Sequence, residues 1–158
     1  MTFLGSNITK SGNLSATYHT CDYVPVTAGV DMNINGTSSI SGVTITNNDA
    51  VLSSGASYYL EFSGAQLSPT FYGGTSGTVQ WYNQTTSTYV GQETILRNKP
   101  ADGTRVNRMV ARCLILASDF GSHTTMTLSP RTKAKTGTAA YGYDGTVTPP
   151  HVRIIRIT

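Results

Sequence analysis

Charged residues are scarce in this sequence: they make up 12% of its 158 residues, with 11 Lys and Arg against 8 Asp and Glu and a net charge of +3. So small a net charge gives a field too weak to attract nucleic acid, and we expect no nucleic-acid partner. Glutamate occurs only at Glu61 and Glu93. Long helices use Glu, Lys, Ala and Leu heavily, so the composition argues against a helical protein.

Cysteines are few, and a secretory leader and long apolar runs are missing. The two cysteines, Cys21 and Cys113, are too few for a disulfide framework. One bridge between them stays open, but two buried thiols are the interpretation we favour, because cysteine is among the most buried residue types. The first residues lack a basic stretch followed by an apolar one, and no apolar run reaches the ~20 residues that span a bilayer. We therefore expect a soluble protein without secretory routing and without a membrane partner.

Motifs for catalysis and metal binding are absent as well. Residues 73–77 contain a serine, but not at the position that a nucleophile elbow needs. Asp119 and His123 lie close in sequence, yet nothing indicates a serine beside them, and we interpret this stretch as a loop. His19 and Cys21 fit one strand face, but two ligands do not make a zinc site. The sequence predicts a protein that is not an enzyme and that has no metal and no cofactor.

Hydroxyl side chains and glycine take the place of charge: Ser and Thr together number 41, and Gly adds 16. Thr is β-branched and suits strands, whereas Gly, Asn and Ser suit tight turns. Short runs of alternating polarity dominate, and side chains alternate between the two faces of a strand. The residues that this alternation directs toward the core are Tyr58, Leu60, Phe62, Val79, Trp81, Met126 and Leu128.

Two segments carry signals that alternation alone does not resolve. Residues 105–118 fit both helical spacing and a buried strand, and their strand-rich surroundings favour the strand. Asn35 and Gly36 follow the alternating residues 30–34 and form a strong hairpin signal.

A basic stripe follows Pro130. A strand here would align Arg131, Lys133 and Lys135 on one face. Such a stripe would contact phosphate or an acidic partner. The alternative is a solvated edge strand whose charges discourage aggregation.

Turn signals every ~8–12 residues predict one all-β antiparallel domain, either a two-sheet sandwich or a jelly roll. Residues 1–50 are rich in Gly, Ser and Asn, and we interpret them as an N-terminal β-rich arm or as the first strands of the same domain. Residues 51–158 are predicted to form the jelly roll. Its terminal strand over residues 151–157 holds the end of the chain in a sheet.

The order of these strands resembles a known family. The segments that carry the resemblance are residues 58–62, 79–91, 112–116, 125–129 and 152–157. They resemble the tumour-necrosis-factor-like (TNF-like) jelly-roll domains of bacteriophage virion proteins. The most suggestive piece is the run Gln80-Trp81-Tyr82-Asn83, followed by Thr85-Thr86 and Gly91. The resemblance covers residues 56–158 and leaves the N-terminal third aside.

The resemblance implies a homotrimer in which the jelly rolls pack around a three-fold axis through one face of each sandwich. Tyrosine suits such an interface because it combines a large apolar body with one hydroxyl, and the sequence holds nine tyrosines against four phenylalanines. Tyr59 and Tyr82 point away from the predicted core, and Tyr141 and Tyr143 share a face of their own. These four tyrosines form the candidate trimer interface; the alternative is that they cap loops.

Two functions follow from the resemblance. The first is a capsid decoration or cement protein, whose trimers bind the major capsid protein and stabilise the head shell. The N-terminal segment, up to about residue 48, would be an arm that pairs with capsid strands. The second is the receptor-binding tip of a tail fibre or spike, which would bind a host surface glycan or protein through loops at residues 73–77 or 83–88. The sequence has no stalk, which favours the first function and a location in the virion, on the capsid surface, after assembly in the host cytoplasm.

Overall fold

Buried and exposed side chains alternate along the strands, as the sequence pattern predicts. The computed structural model describes residues 14–21, 28–63, 66–67, 76–97, 110–136, 141–142 and 150–158. The side chains of Tyr58, Leu60 and Phe62 are buried, while those of Tyr59 and Glu61 are half-buried on the opposite side of the same strand. The other predicted core residues are buried too, namely Val79, Trp81, Met126 and Leu128.

The described residues are organised almost entirely as strands. In chain order the strands are β1 (Ser15–Thr20), β2 (Val43–Thr46), β3 (Asp49–Ser53), β4 (Ser57–Ser63), β5 (Gln66–Leu67), β6 (Ser76–Asn83), β7 (Thr88–Arg97), β8 (Val110–Ile115), β9 (Thr125–Thr136), β10 (Tyr141–Gly142) and β11 (His151–Ile157). One 3₁₀ turn, Ala117–Phe120, follows β8. Nine strands form one hydrogen-bonded set in the order β1-β11-β4-β8-β7-β6-β9-β3-β2, and β5 pairs with β10. All pairs are antiparallel, so the predicted all-β antiparallel class is confirmed.

The nine strands fold into two halves that meet at one corner. The four-stranded half is β1-β11-β4-β8, and the five-stranded half is β2-β3-β9-β6-β7; in the described part of the chain one registered pair, Gln92 with Arg112, joins β7 to β8. The ladder between β6 and β7 shifts register just before this pair. Gly91 lies there with a φ of 74°, and a Cβ atom on it would lie 2.2 Å from the Arg112 carbonyl oxygen. Glycine is required at this position because it permits both the positive φ and the close approach of the two backbones.

The two halves face each other across one hydrophobic core. Trp81 of β6 is fully buried, and its Nε1 donates to the carbonyl oxygen of Ala111 on β8 at 3.0 Å. Tyr58 of β4 is also fully buried, and its hydroxyl donates to the carbonyl oxygen of Ser53 on β3 at 2.8 Å. A buried polar atom without a partner is costly, so each aromatic ring that fills the core also ties one half to the other.

The hairpin expected at Asn35 and Gly36 is not formed. Gly36 does adopt a positive φ of 97°, but residues 28–35 form isolated bridges with the end of β1 and with β9 instead of a strand pair. The two-residue hairpin turn lies at Asn47 and Asn48, which have φ values of 51° and 68° and connect β2 to β3. A turn dipeptide gives a hairpin only where the flanking segments are partners, and long-range pairing decides that.

The ambiguous apolar segment forms a strand in the part that the structure describes, since residues 110–115 are β8. Residues 105–109 lie outside the described residues. Cys113 and Ile115 are buried, whereas Leu114 between them is exposed. This period of two confirms the strand interpretation and excludes the helical spacing.

The basic stripe lies on β9, which runs without a break from Thr125 to Thr136 through Pro130. β6 lies on one side of β9, and β3 together with residues 29–32 lies on the other. The edge-strand interpretation is therefore wrong for Arg131, because β9 is an inner strand there. Pro130 has no N–H to donate to a neighbouring strand, but its carbonyl oxygen accepts a hydrogen bond from the backbone N–H of Met32 at 2.8 Å.

The described part of the N-terminal segment belongs to the same sheets as the rest of the chain. β1 pairs with β11, and β2 pairs with β3. Of the two interpretations of residues 1–50, the described residues favour the first strands of the jelly roll over a separate arm; residues 1–13 lie outside the described residues.

The cysteines Cys21 and Cys113 are both buried and do not form a disulfide bond, which confirms the interpretation as buried thiols. Burial raises the pKa of the Cys113 thiol to about 12, so it stays protonated at neutral pH. In the described parts of the chain no helix is long and apolar enough to cross a bilayer.

Candidate interaction surfaces

A row of apolar side chains crosses the outward side of the four-stranded half. Cross-strand register aligns Ala16, Ile155, Tyr59 and Leu114 side by side on β1, β11, β4 and β8. Leu114 is 53% exposed. Exposed side chains that extend this row are Leu14, Leu116 and Ile157. We call these seven residues the apolar face.

The sequence contains a signal for this face. Leu114 and Ile115 are adjacent apolar residues on β8, and Ile154 and Ile155 are adjacent on β11. Because neighbours in a strand point to opposite sides, one member of each pair must leave the core. Strands that are apolar on both sides are typical of sheets that are covered on both sides.

A second row beside the apolar face carries charge. Register aligns Tyr18, Arg153, Glu61 and Arg112 across the same four strands. The Glu61 carboxylate oxygen Oε2 accepts from the Arg112 Nε at 3.3 Å and from the Tyr59 hydroxyl at 3.1 Å. The Arg153 guanidinium carbon lies 5.6 Å from the centre of the Tyr18 ring, which is 64% exposed. We call these four residues the charged row.

The hydroxyl of Tyr59 is protonated and acts as a donor at neutral pH. Partial burial raises its pKa above the usual 10.0, and the hydrogen bond to the Glu61 carboxylate raises it further. Tyr59 thus presents an apolar ring to the apolar face while its hydroxyl is held by the charged row.

The outward side of the five-stranded half differs, because its aromatic rings are covered by cations of the same chain. Tyr82 and Tyr89 are cross-strand partners with ring centroids 5.1 Å apart in an edge-to-face arrangement. The Arg131 guanidinium stacks 3.5 Å above the Tyr82 ring, and the Lys133 Nζ lies 5.5 Å from the Tyr89 ring. Such stacking desolvates the guanidinium and the ring together.

The same cations are neutralised by acids. Arg131 donates to both carboxylate oxygens of Asp31, at 2.6 and 2.7 Å, and Lys133 donates to Glu93 at 2.8 Å. The Asp31 pairing raises the pKa of the Arg131 guanidinium. The basic stripe is thus largely occupied within the chain; the side chain of Lys135 lies outside those that the structure describes.

Neighbouring polar groups extend this network to β3. Ser129 Oγ donates to Asp31 at 2.7 Å, and Gln84 Nε2 donates to Asp49 at 2.9 Å and to Ser129 Oγ at 3.3 Å. Burial raises the pKa of the Asp49 carboxyl, and the nearby Asp31 charge adds to that shift. We call this network the polar face. Its members are Asp31, Asp49, Tyr82, Gln84, Tyr89, Glu93, Ser129, Arg131 and Lys133.

The structure does not bring the four candidate interface tyrosines together. Tyr59 belongs to the apolar face, whereas Tyr82 belongs to the polar face on the other half. The side chain of Tyr141 and all of Tyr143 lie outside what the structure describes. Sequence alternation correctly predicts that Tyr59 and Tyr82 point outward from their strands, but it does not say on which half.

One Ser–His pair was missed in the sequence because 88 residues separate its members. Ser63 Oγ and His151 Nε2 lie 2.8 Å apart on the paired strands β4 and β11. Ser63 is buried, and in the described residues no carboxylate bonds to His151, so the third member of a hydrolytic triad is not seen there.

The other candidate groups have structural contacts. Asp119 Oδ2 accepts from the backbone N–H of Leu116 at 2.8 Å at the start of the 3₁₀ turn. His19 lies in the interior, bonded to the Thr17 hydroxyl and the Asn35 carbonyl. Over the described ranges no group of three or more His, Cys, Asp or Glu side chains is placed to hold a metal ion.

Comparison with known proteins identifies the fold. No family model and no curated protein sequence matches this chain. Among solved structures, the chain is similar to a TNF protein, Eiger, from S. frugiperda, with a TM-score of 0.53 and 9% sequence identity over 92% of this chain and 93% of that one. The two-sheet sandwich is therefore a TNF-like jelly roll. At this identity the likeness concerns the fold alone.

Proposed function

We propose that this chain is a structural protein of a bacteriophage virion that assembles into a homotrimer through the apolar face and decorates the capsid. The observation that carries the trimer is the distribution of exposed apolar side chains. Among the described residues, the large apolar side chains that are exposed are Leu14, Tyr18, Leu114, Leu116, Ile157 and Val30. All but Val30 belong to the four-stranded half. A concentration of this kind on one face is typical of a protein-binding surface.

A second and third copy of this chain are the occupants that we propose for this face. The charged row alongside it contains both signs, and the pairing of Arg112 with Glu61 balances part of its charge where another copy would cover it. Tyr59 adds the aromatic residue that protein interfaces favour. A ring of three closes without leaving an unpaired surface of this kind.

Trimer formation is tested by sedimentation equilibrium at micromolar concentration. We expect about 50 kDa, three times the 16.8 kDa of one chain. A homogeneous monomer under these conditions would overturn the proposal.

The capsid role is supported by the resemblance of residues 56–158 to phage virion domains. In a trimer joined through the apolar face, the polar face would remain on the outside. We propose a non-enzymatic role there, with the major capsid protein as the partner and the capsid surface as the location. Purified protein mixed with undecorated capsids should bind in multiples of three per capsid site. Saturation in numbers that are not multiples of three would contradict it.

A receptor-binding tip remains the second candidate, favoured by one feature of the β6–β7 turn. Thr85, Thr86 and Thr88 are exposed there, and the carboxamide oxygen of the buried Asn83 accepts from the backbone N–H groups of Thr85 and Thr86 at 3.0 and 3.3 Å. The Thr85 hydroxyl accepts from the backbone N–H of Thr127 at 3.0 Å, and the Thr86 and Thr88 hydroxyl oxygens lie 2.7 Å apart. The turn therefore holds its hydroxyl groups in a fixed arrangement, as recognition of a host glycan would need. Binding to host cells without binding to capsids would favour this function.

A further inference from the structure

On the outward side of the four-stranded half, Arg153 is the cation with the fewest polar partners. It lies on β11, which is one of the two inner strands of that half, between Tyr18 on β1 and Glu61 on β4. Its Nε is buried and has no hydrogen-bond partner. In the described parts of the chain no carboxylate forms an ion pair with it.

Glu61, the nearest acid in register, is already occupied. Its Oε2 accepts from Arg112 and from the Tyr59 hydroxyl, as described above. The charged row contains two guanidinium groups and one carboxylate, which leaves one surplus positive charge per chain. Three chains packed through this side would enclose three surplus charges.

Such a surplus cannot be removed by releasing protons. A buried lysine or histidine becomes neutral by losing its proton, but a guanidinium does not deprotonate in proteins. Burying a charge is costly unless the charge is paired and hydrogen-bonded. The planar guanidinium matches the geometry of a tetrahedral oxyanion, which accepts two N–H groups side by side.

We propose that the trimer holds an oxyanion of the phosphate or sulfate class on its three-fold axis, bound by the three Arg153 guanidinium groups. This inference rests on the trimer proposed above. The anion, which carries about two negative charges at neutral pH, would offset about two of the three surplus charges and give each buried Arg153 Nε an acceptor, so that assembly through this side becomes dependent on the anion.

The test uses the full chain and inorganic phosphate. Trimer association is measured by sedimentation equilibrium in phosphate and in chloride at equal ionic strength. When phosphate is about a hundredfold above its dissociation constant, one bound anion raises the trimer association constant about a hundredfold. Sulfate in place of phosphate should act similarly if the shared oxyanion geometry is what is recognised.

Three variants separate anion binding from the general stabilisation that phosphate and sulfate give to many proteins. Arg153→Gln should abolish the phosphate response, and Arg153→Lys, which keeps the charge but loses the planar group, should retain part of it. Lys133→Gln removes a cation of the polar face and should respond as the unsubstituted chain does. A circular dichroism spectrum of each variant checks that it is folded.

The outcomes distinguish this inference from the trimer itself. A trimer that forms equally well in chloride and phosphate overturns the anion site and leaves the trimer intact. A phosphate response that persists in Arg153→Gln overturns it as well. A trimer that Arg153→Gln weakens equally in both buffers would mean that a carboxylate of a neighbouring copy pairs with Arg153, which also excludes the anion. A monomer in every buffer defeats the trimer proposal first.

Discussion

The two outward sides of this sandwich differ in how far their side chains are covered and paired by other groups of the same chain. On the polar face, Arg131 is stacked on Tyr82, paired with Asp31 through two hydrogen bonds, and surrounded by further bonded groups. On the four-stranded half, Leu114 is exposed without such cover, and Arg153 has a buried Nε without a partner. Both sides contain tyrosine and arginine, so composition alone does not separate them.

The difference shows that the same residue types have different meanings according to their neighbours. A cation that is stacked on an aromatic ring and paired with a carboxylate gains little free energy from contact with another molecule, because the cost of its desolvation is already compensated. Exposed apolar side chains that lie in register across four strands gain free energy only when another molecule covers them and removes them from water. This contrast is why we assign self-association to the apolar face and not to the polar face.

The largest effect should come from a charge placed in the apolar face. Leu114→Asp would bury a carboxylate at the interface of each of three chains, which costs several kcal/mol per chain. The trimer association constant should therefore fall at least about a thousandfold. Sedimentation velocity would detect the monomer.

Val30→Asp is the matched control for this variant. Among the described residues, Val30 is the exposed large apolar residue outside the four-stranded half, so the same change there should leave the trimer unaffected. If both variants dissociate the trimer equally, the apolar face is not its interface.

The next effect concerns the corner where the two halves join. In Gly91→Ala the new Cβ would lie 2.2 Å from the Arg112 carbonyl oxygen and 2.7 Å from the Cys113 Cβ, at a φ of 74°. We expect the free energy of unfolding, measured by urea denaturation, to fall by more than about 3 kcal/mol.

Gly55→Ala is the control for Gly91→Ala, because it introduces backbone strain without a steric clash. Gly55 has a φ of 89° and no atom within 4 Å of an added Cβ, so its substitution should cost only about 1–2 kcal/mol. Equal losses in the two variants would show that the corner relaxes and that close approach does not hold the halves together.

Local patterns predicted which side chains enter the core, but they did not predict which strands become neighbours. The period of two predicted the burial of Leu60 and Trp81, because alternation is a property of a single strand. Asn35 and Gly36 have the chemistry of a hairpin turn, yet residues 28–35 pair elsewhere. That choice depends on distant segments, which no short pattern contains.

The candidate surfaces were predictable to the same degree. Adjacent apolar residues such as Leu114 and Ile115 contain the signal that one must point outward, although our predictions did not use it; Tyr59 was correctly expected to point away from the core. Nothing local indicated that Tyr82 would lie on the opposite half, because the corner at Gly91, where β7 passes from its pairing with β6 to its pairing with β8, is set by long-range contacts. The pairing of Arg131 with Asp31, 100 residues away, was hidden for the same reason.

A smaller effect should follow from opening the polar face. Asp31→Asn removes the charge that accepts two hydrogen bonds from Arg131 and one from Ser129. Both members of the ion pair are largely shielded from solvent, so we expect a loss of about 2 kcal/mol in the free energy of unfolding and no change in trimer association. Urea denaturation and sedimentation measure the two quantities separately.

Glu93→Gln provides the comparison within the same face. The pair of Glu93 with Lys133 is exposed, so its loss should cost less than about 0.5 kcal/mol. A trimer that dissociates when Asp31 is changed would contradict the division of roles between the two faces, since it would place the interface on the polar face.

The smallest effect we expect is the loss of stability in acid that arises from His19. His19 lies on the inward side of β1; its Nδ1–H donates to the Asn35 carbonyl at 3.2 Å, and its Nε2 then accepts from the Thr17 hydroxyl at 3.0 Å. Burial lowers the pKa of His19 below its usual 6.5, and the bond to Asn35 offsets part of that shift. The unfolded chain therefore binds this proton more readily than the folded one. The stability that neutral His19 contributes is complete above pH 6.5. It is lost as the pH falls from 6.5 through the lowered pKa of the folded chain.

Urea midpoints at about pH 7.5 and about pH 5.5 would measure this loss, which His19→Gln should reduce. His123, which is exposed, provides the control, since His123→Gln should keep the full pH dependence. Asp49 acts in the opposite direction, because its raised pKa means that the folded chain takes up that proton more readily as the pH falls. A midpoint that rises on acidification in both the unsubstituted chain and His19→Gln would show that Asp49 dominates. The polar face, and not the contact of His19 with Asn35, would then control the acid response.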